Sequence, residues 1–404
     1  MNRSQIFTGL KVADFSWAAA GPIVTKQLAD NGATVIKVES TRHPDSVRLG
    51  GPFAGDKPGL NRSGFFADFN SSKLGIAVDT GHPRAAEVIE RLVRWADVVA
   101  DSFRPGIMER WGFGYERLSE INPSIIMLSS SLYGAGGPWS EHPGFGAQGQ
   151  ALAGIHGLTG WPDRPPAMPK GAYTDSVSPR YATAALVAAL IHRDRTGEGQ
   201  WLEMSQVEAT VNFLAPELLD LQLTGHVTRR DGNVDERAVL HGVFPCRGED
   251  RWIAIEVWHE PSWERLLAVL GEELPDPLLA ETEAVRRSRR DEVEAAVGRL
   301  TASRDPFELM ATLRRAGVSA GVALRGSDLF TDEALVGRQH FWPLAHPEMG
   351  ELAYNGPAYR FEATPSALTK AAPCLGEDTR RVLCDVLHLD PDEIADLEKS
   401  GLLE

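Results

Sequence analysis

Residues 10 to 40 hold the pattern that most restricts the fold. "LKVADFSW" (10 to 17) alternates and then runs apolar like a strand, "GPIVTKQLADNG" (21 to 32) reads as a helix opened by Pro22 and closed by Gly32, and "ATVIKVES" (33 to 40) is a second strand. Two strands joined through a helix lie parallel in one sheet, because the crossover returns the chain to the end where it began. The theme recurs in "RAAEVIERLVRWA" (84 to 96), an amphipathic helix, "DVVAD" (97 to 101), a strand, and "SIIMLSSSLYG" (124 to 134), a β-rich run after the turn at Asn122-Pro123. The expected fold class is α/β, a parallel sheet covered by helices.

From about residue 239 the texture changes. "VLHGVFPC" and "RWIAIEVW" flank the turn "RGED" (247 to 250) as a hairpin, and helical stretches follow through Ala316. This reads as a smaller inserted α+β domain, residues 221–325, within a discontinuous larger one, residues 1–220 and 326–404. The end of the chain, "GELAYNGPAYRFEATP" (350 to 365), returns to strand and turn texture before a final acidic helix from Pro391.

Charge narrows the class of partner. The chain of 404 residues carries 41 basic and 56 acidic residues, a net charge of -15, which argues against nucleic acid or an anionic membrane. An anionic small ligand would need a local basic cluster. The three cysteines, Cys246, Cys374 and Cys384, have no paired metal spacing, so neither a disulfide framework nor a zinc site is expected, and a reduced cytoplasm fits. The apolar run from Ala182 to Ile191 is too short to span a bilayer, and "MNRSQIFTGLKV" has no apolar stretch of signal-peptide length.

Several motifs are missing. The turn between the first strand and helix is "SWAAAGP", without the Gly-x-Gly-x-x-Gly of a dinucleotide site. "GGPFAGDK" (50 to 57) has Asp56 where a phosphate loop needs Lys, no Gly-x-Ser-x-Gly elbow occurs, and "HEPSW" (259 to 263) lacks the second His of a zinc protease. What remains is "GAYTDSVSPRYATAALVAAL" (171 to 190), which places Asp175 just before a strongly apolar run. Pro179 suits the first helical position with Ser178 as cap, which leaves Asp175 just outside the helix, free for a turn or for chemistry.

Seven stretches in order, "DFSWAAAGP", "LADNGATVIKVES", "DFNSSKLGIAVD", "ADVVADSFRPGIMERWGFGYERL", "NPSIIMLSSSLYGAGGP", "RTGEGQWLEMSQVEA" and "AAPCLGEDT", resemble the class III coenzyme A transferases, the CaiB/BaiF type that also includes α-methylacyl-CoA racemases. The resemblance implies a Rossmann-like large domain, an interlaced dimer, and Asp175 as the nucleophile. A carboxylate is ionised at neutral pH, with an unperturbed pKa near ~3.9, and can attack an acyl-CoA to give an anhydride and then an aspartyl-CoA thioester. The partners implied are an acyl-CoA and a free carboxylic acid, with no permanently bound cofactor and no metal; coenzyme A is substrate. Arg104 in "DSFRPG" matches the family's CoA-binding arginine, Lys73, Arg42 and Arg48 stand in its other basic positions, and Ala18 and Ala19 are small enough to let the ligand approach the backbone. Formyl-type members have Gln at Ala19, Tyr at Phe145 and a Gly-rich loop absent from "GNVDERAVLHGVFPC", so a larger acyl group than oxalate is implied; the members that use succinyl-CoA are nearer in character. Two alternatives stay open. The racemases of this fold use a His where Phe145 stands, with Glu260 at the place of a helpful carboxylate, although Glu260 also suits the first turn of a helix. The chain could also be a partner subunit of a heteromer rather than a homodimer.

Overall fold

The computed structural model describes residues 4–271 and 277–404. The opening pattern forms β1 (Lys11–Asp14), the helix Ala20–Ala29 and β2 (Thr34–Glu39). With β3 (Leu74–Ala77), β4 (Val98–Asp101), β5 (Ile126–Ser131) and β6 (Gln200–Ser205), the strands order as β3-β2-β1-β4-β5-β6, and every adjacent pair is parallel. The central strands read as apolar runs because helices cover both faces. Val12 packs on one side with Val24, Leu28, Ile126 and Leu186, while Ala13 packs on the other with Ile36, Val99 and Leu92. Helix Ala85–Trp95 earns its place by spacing: Ala85, Val88, Ile89, Leu92 and Val93 form its buried stripe.

The chain divides into two compact units. The first comprises residues up to Leu158, Ala167–Thr228 and Val336–Glu404; the second comprises Thr159–Pro166 and Arg229–Leu335. The second unit contains the expected hairpin, β7 (Leu240–Pro245) with β8 (Trp252–Val257), extended by β9 (Ser319–Val322) into an antiparallel sheet. Its helices include Glu260–Leu270, Arg290–Thr301 and Pro306–Arg315, and its core gathers Trp263, Leu266, Ile255 and Val297. Of the helical span read from the sequence, residues 272–276 lie outside the described residues. In the first unit, β10 (Phe341–His346) pairs with β11 (Gly350–Asn355). Among the described residues no helix is long and apolar enough to cross a membrane.

One expectation is corrected. The helix after residue 171 begins at Tyr173, not Pro179, and runs to Thr196 with Pro179 in its interior and Asp175 in its first turn. Its cap is Ala172, without a side-chain cap bond. Another element supplies the missing acceptor: Tyr173 N–H donates to Gln150 Oε1 at 2.8 Å, while the Thr174 hydroxyl donates to the Gly146 carbonyl at 3.0 Å. These contacts outweigh the local preference for starting at Pro179.

Candidate active site

The helix Tyr173–Thr196 lies between β5 and β6 in the chain. A crossover helix runs against its parallel strands, so the N-terminal turn that carries Asp175 comes at their carboxyl edge, where open parallel sheets bind ligands. The Asp175 carboxyl is partly buried, and burial pushes its pKa up to about 6. Sequence reasoning expected an ordinary carboxylate; the correction follows from lost solvation. Among the described residues no hydrogen-bond donor is found on it. Gly146 explains how it fits. A Cβ at Gly146 would stand 2.6 Å from the Ala172 Cβ and 2.7 Å from both the Asp175 Cγ and Oδ1. Only glycine lets this backbone lie against the carboxylate.

Pro179 acts on the same turn. Having no N–H, it cannot bond the carbonyl four residues earlier, which is that of Asp175. The Ser178 hydroxyl, buried one turn after Asp175, has no hydrogen-bond partner among the described residues.

The strand order reverses between β1 and β4. The loop leaving β1 carries Ala18, with φ 63°, and Ala19, the N-cap of the following helix. The loop leaving β4 carries Arg104, exposed, with Nη1 donating to the Glu141 carbonyl at 2.9 Å. The cavity beside it is only about 30 Å³ and is lined in part by Asp101, Ser129 and Glu203, so a phosphate would meet Arg104 at the surface. Buried Asp101 is pushed up to about 6 by desolvation, against hydrogen bonds from the Ser129 hydroxyl and the Phe103 N–H.

Two of the expected phosphate cations are corrected. Lys73 is fully buried, and its Nζ reaches Asp14 Oδ2 at 2.9 Å, Thr25 Oγ1 at 2.8 Å, Asn70 Oδ1 at 2.9 Å and the Pro22 carbonyl at 3.1 Å. Burial lowers its pKa to about 8, although Asp14 opposes this. Burial also works against the Asp14 charge, but Lys73 and Lys37 outweigh it and hold that carboxyl below the usual range. Arg48, equally buried, forks onto Glu39 with two contacts of 2.8 Å and donates to the Leu60 and Pro373 carbonyls. Neither side chain has a donor left at the surface. Arg42 does reach solvent, at 62% exposure, yet it pairs with Asp79 at 3.0 Å and Glu404 at 3.3 Å. Phe145 is 68% exposed and caps the short helix that starts at Gly146. Glu260 opens its helix in the second unit and pairs with buried Arg286, the structural role that its first-turn place suggested.

Gly146, Gln150 and Asp45 escaped sequence reasoning. Only Asp45 left a sign, a lone acid between two arginines in "RHPDSVR".

With this geometry in hand, comparison with known proteins is decisive. The model of CoA-transferase family III matches residues 7–379. The chain belongs to CoA-transferase family III. It is 30% identical to the succinyl-CoA–D-citramalate CoA-transferase of Chloroflexus aurantiacus, over 98% of this chain and 97% of that one. It is 28% identical to the succinyl-CoA:glutarate CoA-transferase of Mus musculus, over 98% of this chain and 90% of that one. A solved CaiB/BaiF family protein from Brucella suis superimposes with a TM-score of 0.86 at 29% identity, covering 95% of this chain and all of that one. Membership makes the chain a CoA-transferase, an enzyme that acts on CoA thioesters, on an α/β fold of the CaiB/BaiF type.

Proposed function

We propose that this CoA-transferase works by covalent catalysis at Asp175. The observation that carries the reading is a carboxylate on which no donor is found among the described residues, pressed against the Gly146 backbone at the carboxyl edge of the sheet. Its free lone pairs attack the thioester carbonyl of an acyl-CoA, forming a mixed anhydride and releasing the CoA thiolate. The thiolate then attacks the aspartyl carbonyl of that anhydride; the first acid leaves as its carboxylate, and an aspartyl-CoA thioester remains. A second carboxylate attacks this thioester, and the thiolate that departs takes up the new acyl group while Asp175 is regenerated. Each acyl bond is exchanged for one of similar energy, so positioning does most of the work.

Arg104 is the surface cation for the CoA phosphates, supported by its place after β4 at the reversal of strand order. The first unit is accordingly the CoA-binding one. Succinyl-CoA is the donor to try first, since both relatives named above are called succinyl-CoA transferases. Phe145 has no proton-accepting group, so the chemistry is transfer without exchange of an α-proton.

The test is a panel of acyl-CoA donors and free acids, read by mass spectrometry for new thioesters. Succinyl-CoA with a dicarboxylic acid is expected to give the dicarboxylyl-CoA and free succinate. Simple hydrolysis of every donor, with no new thioester from any acid, contradicts the reading.

A further inference from the structure

The loop that leaves β1 is held by side chains from elsewhere in the sheet. Asp14 Oδ1 accepts the Ser16 N–H at 3.0 Å, and Lys37 Nζ donates to the Ser16 carbonyl at 2.7 Å. Ser102 serves both polar groups of Trp17, its Oγ accepting the N–H at 2.7 Å and donating to the carbonyl at 2.9 Å. Ala18 follows in the left-handed region, φ 63°, where a residue with a Cβ stays only if its surroundings hold it. What holds it is Asp45, whose Oδ1 accepts the Ala18 N–H at 2.9 Å and the Val47 N–H at 3.1 Å, while its Oδ2 faces Lys37 Nζ at 3.0 Å.

Asp45 and Lys37 are both fully buried. A buried ion pair is a poor source of stability, since apolar residues of like volume often serve as well. The distinctive contribution of this pair is an acceptor fixed in place beneath one amide. That amide belongs to the loop at the reversal of strand order, where ligands of such sheets dock.

We propose that Asp45 is a positioning residue for the CoA ester: through its Oδ1 it holds the Ala18 N–H, and with it the left-handed turn against which the ligand docks. This rests on the CoA-transfer reading given above. The pair of substitutions Asp45→Ala and Asp45→Asn separates acceptor from charge, because the amide keeps an oxygen for Ala18 while losing the charge that faces Lys37.

Free coenzyme A is titrated calorimetrically into the full chain and its variants, and backbone exchange of the peptide spanning residues 15–22 is followed by mass spectrometry. Asp45→Ala is expected to bind CoA about tenfold more weakly with faster exchange in this peptide, and Asp45→Asn to stay within about threefold of wild type in both while losing thermal stability. Equal weakening in the two variants reduces Asp45 to charge balance. Faster exchange in Asp45→Ala with unchanged affinity separates the loop from the ligand. Either result overturns the proposal. Because Asp45→Ala removes a counter-charge from Lys37 and can compromise folding, Ser102→Ala frees Trp17 without touching a buried charge. It too should weaken CoA binding, and unchanged affinity despite faster exchange overturns the proposal. A wild type that binds no CoA overturns the CoA reading and the proposal together, a result distinct from the others.

Discussion

A carboxylate that attacks a thioester must be ionised, yet the more basic carboxylate is the stronger nucleophile. Burial pushes Asp175 up to about 6, which leaves most molecules ionised at neutral pH while raising basicity above that of free aspartate. The kcat/KM for transfer is therefore expected to climb through an apparent pKa of about 6 and to level off above it. A profile already flat between pH ~4.5 and ~8 contradicts that environment. The same burial has a cost in stability. An unfolded Asp loses its proton near pH ~3.9, so stability falls as pH rises from there to the folded value of about 6 and stays reduced above it. Asp175→Asn carries no such charge and is expected to unfold with about 1–2 kcal/mol more stability than wild type at pH ~7, the difference closing near pH ~4, while transfer is abolished. Urea denaturation at the two pH values measures this. The resemblance singles out Asp175 as the candidate nucleophile, but the environment of that residue is not legible in the sequence: Gly146 lies 29 positions earlier and meets it only in the fold. Lys73 and Arg48 mislead for the same reason. A cation in sequence looks solvated, and of the buried acids that absorb these two, Asp14 stands far along the chain from Lys73 and Glu39 on another element from Arg48, so that the pairing exists only in the fold.

The element that decides the site is the first turn of the helix Tyr173–Thr196. Local rules place its start at Pro179, and they fail because Gln150 and Gly146, on the preceding short helix, provide contacts that no local rule contains. The strands fare better. β1, β2, β4 and β5 are legible because both faces are covered, so their apolar runs stand out. β9 and β10 are not, since "SAGV" is small-residue and Pro343 interrupts "FWPLAH". The close approach of the two helices yields a sharp expectation. Gly146→Ala puts a methyl where the Asp175 carboxyl stands and should lower kcat about 100-fold or more through displacement of the proposed nucleophile, with a modest loss of stability. Near-normal kcat for Gly146→Ala, measured with the best donor and acid pair, would separate Gly146 from the reacting group.

At the scale of the whole molecule, an acidic chain of net charge -15 must take a polyanionic ligand at the few cations its fold leaves unpaired. The parallel sheet brings two strand-exit loops to the reversal of order, one with Ala18 and one with Arg104, and Arg104 is the cation proposed above for that ligand. The helix Ala215–Thr224 presents Leu218, Leu219, Leu221 and Leu223, all exposed in the single chain. So much exposed apolar surface is poorly suited to water, and the resemblance to the CaiB/BaiF type implies an interlaced dimer that would cover surface of this kind. Light scattering is expected to give twice the chain mass of 44.0 kDa, and a stable monomer at micromolar concentration contradicts that assembly. The claim on which everything else turns is the covalent step, and it can be trapped. Wild-type protein is incubated with an acyl-CoA that it transfers, treated with hydroxylamine, digested and mapped by mass spectrometry, with Asp175→Asn as control. The expected result is a hydroxamate on the Asp175 side chain, formed only when acyl-CoA is present and absent from the Asn variant. Transfer activity with Asp175 unmodified, or an active Asp175→Asn protein in which mass analysis excludes reversion to the acid, contradicts it.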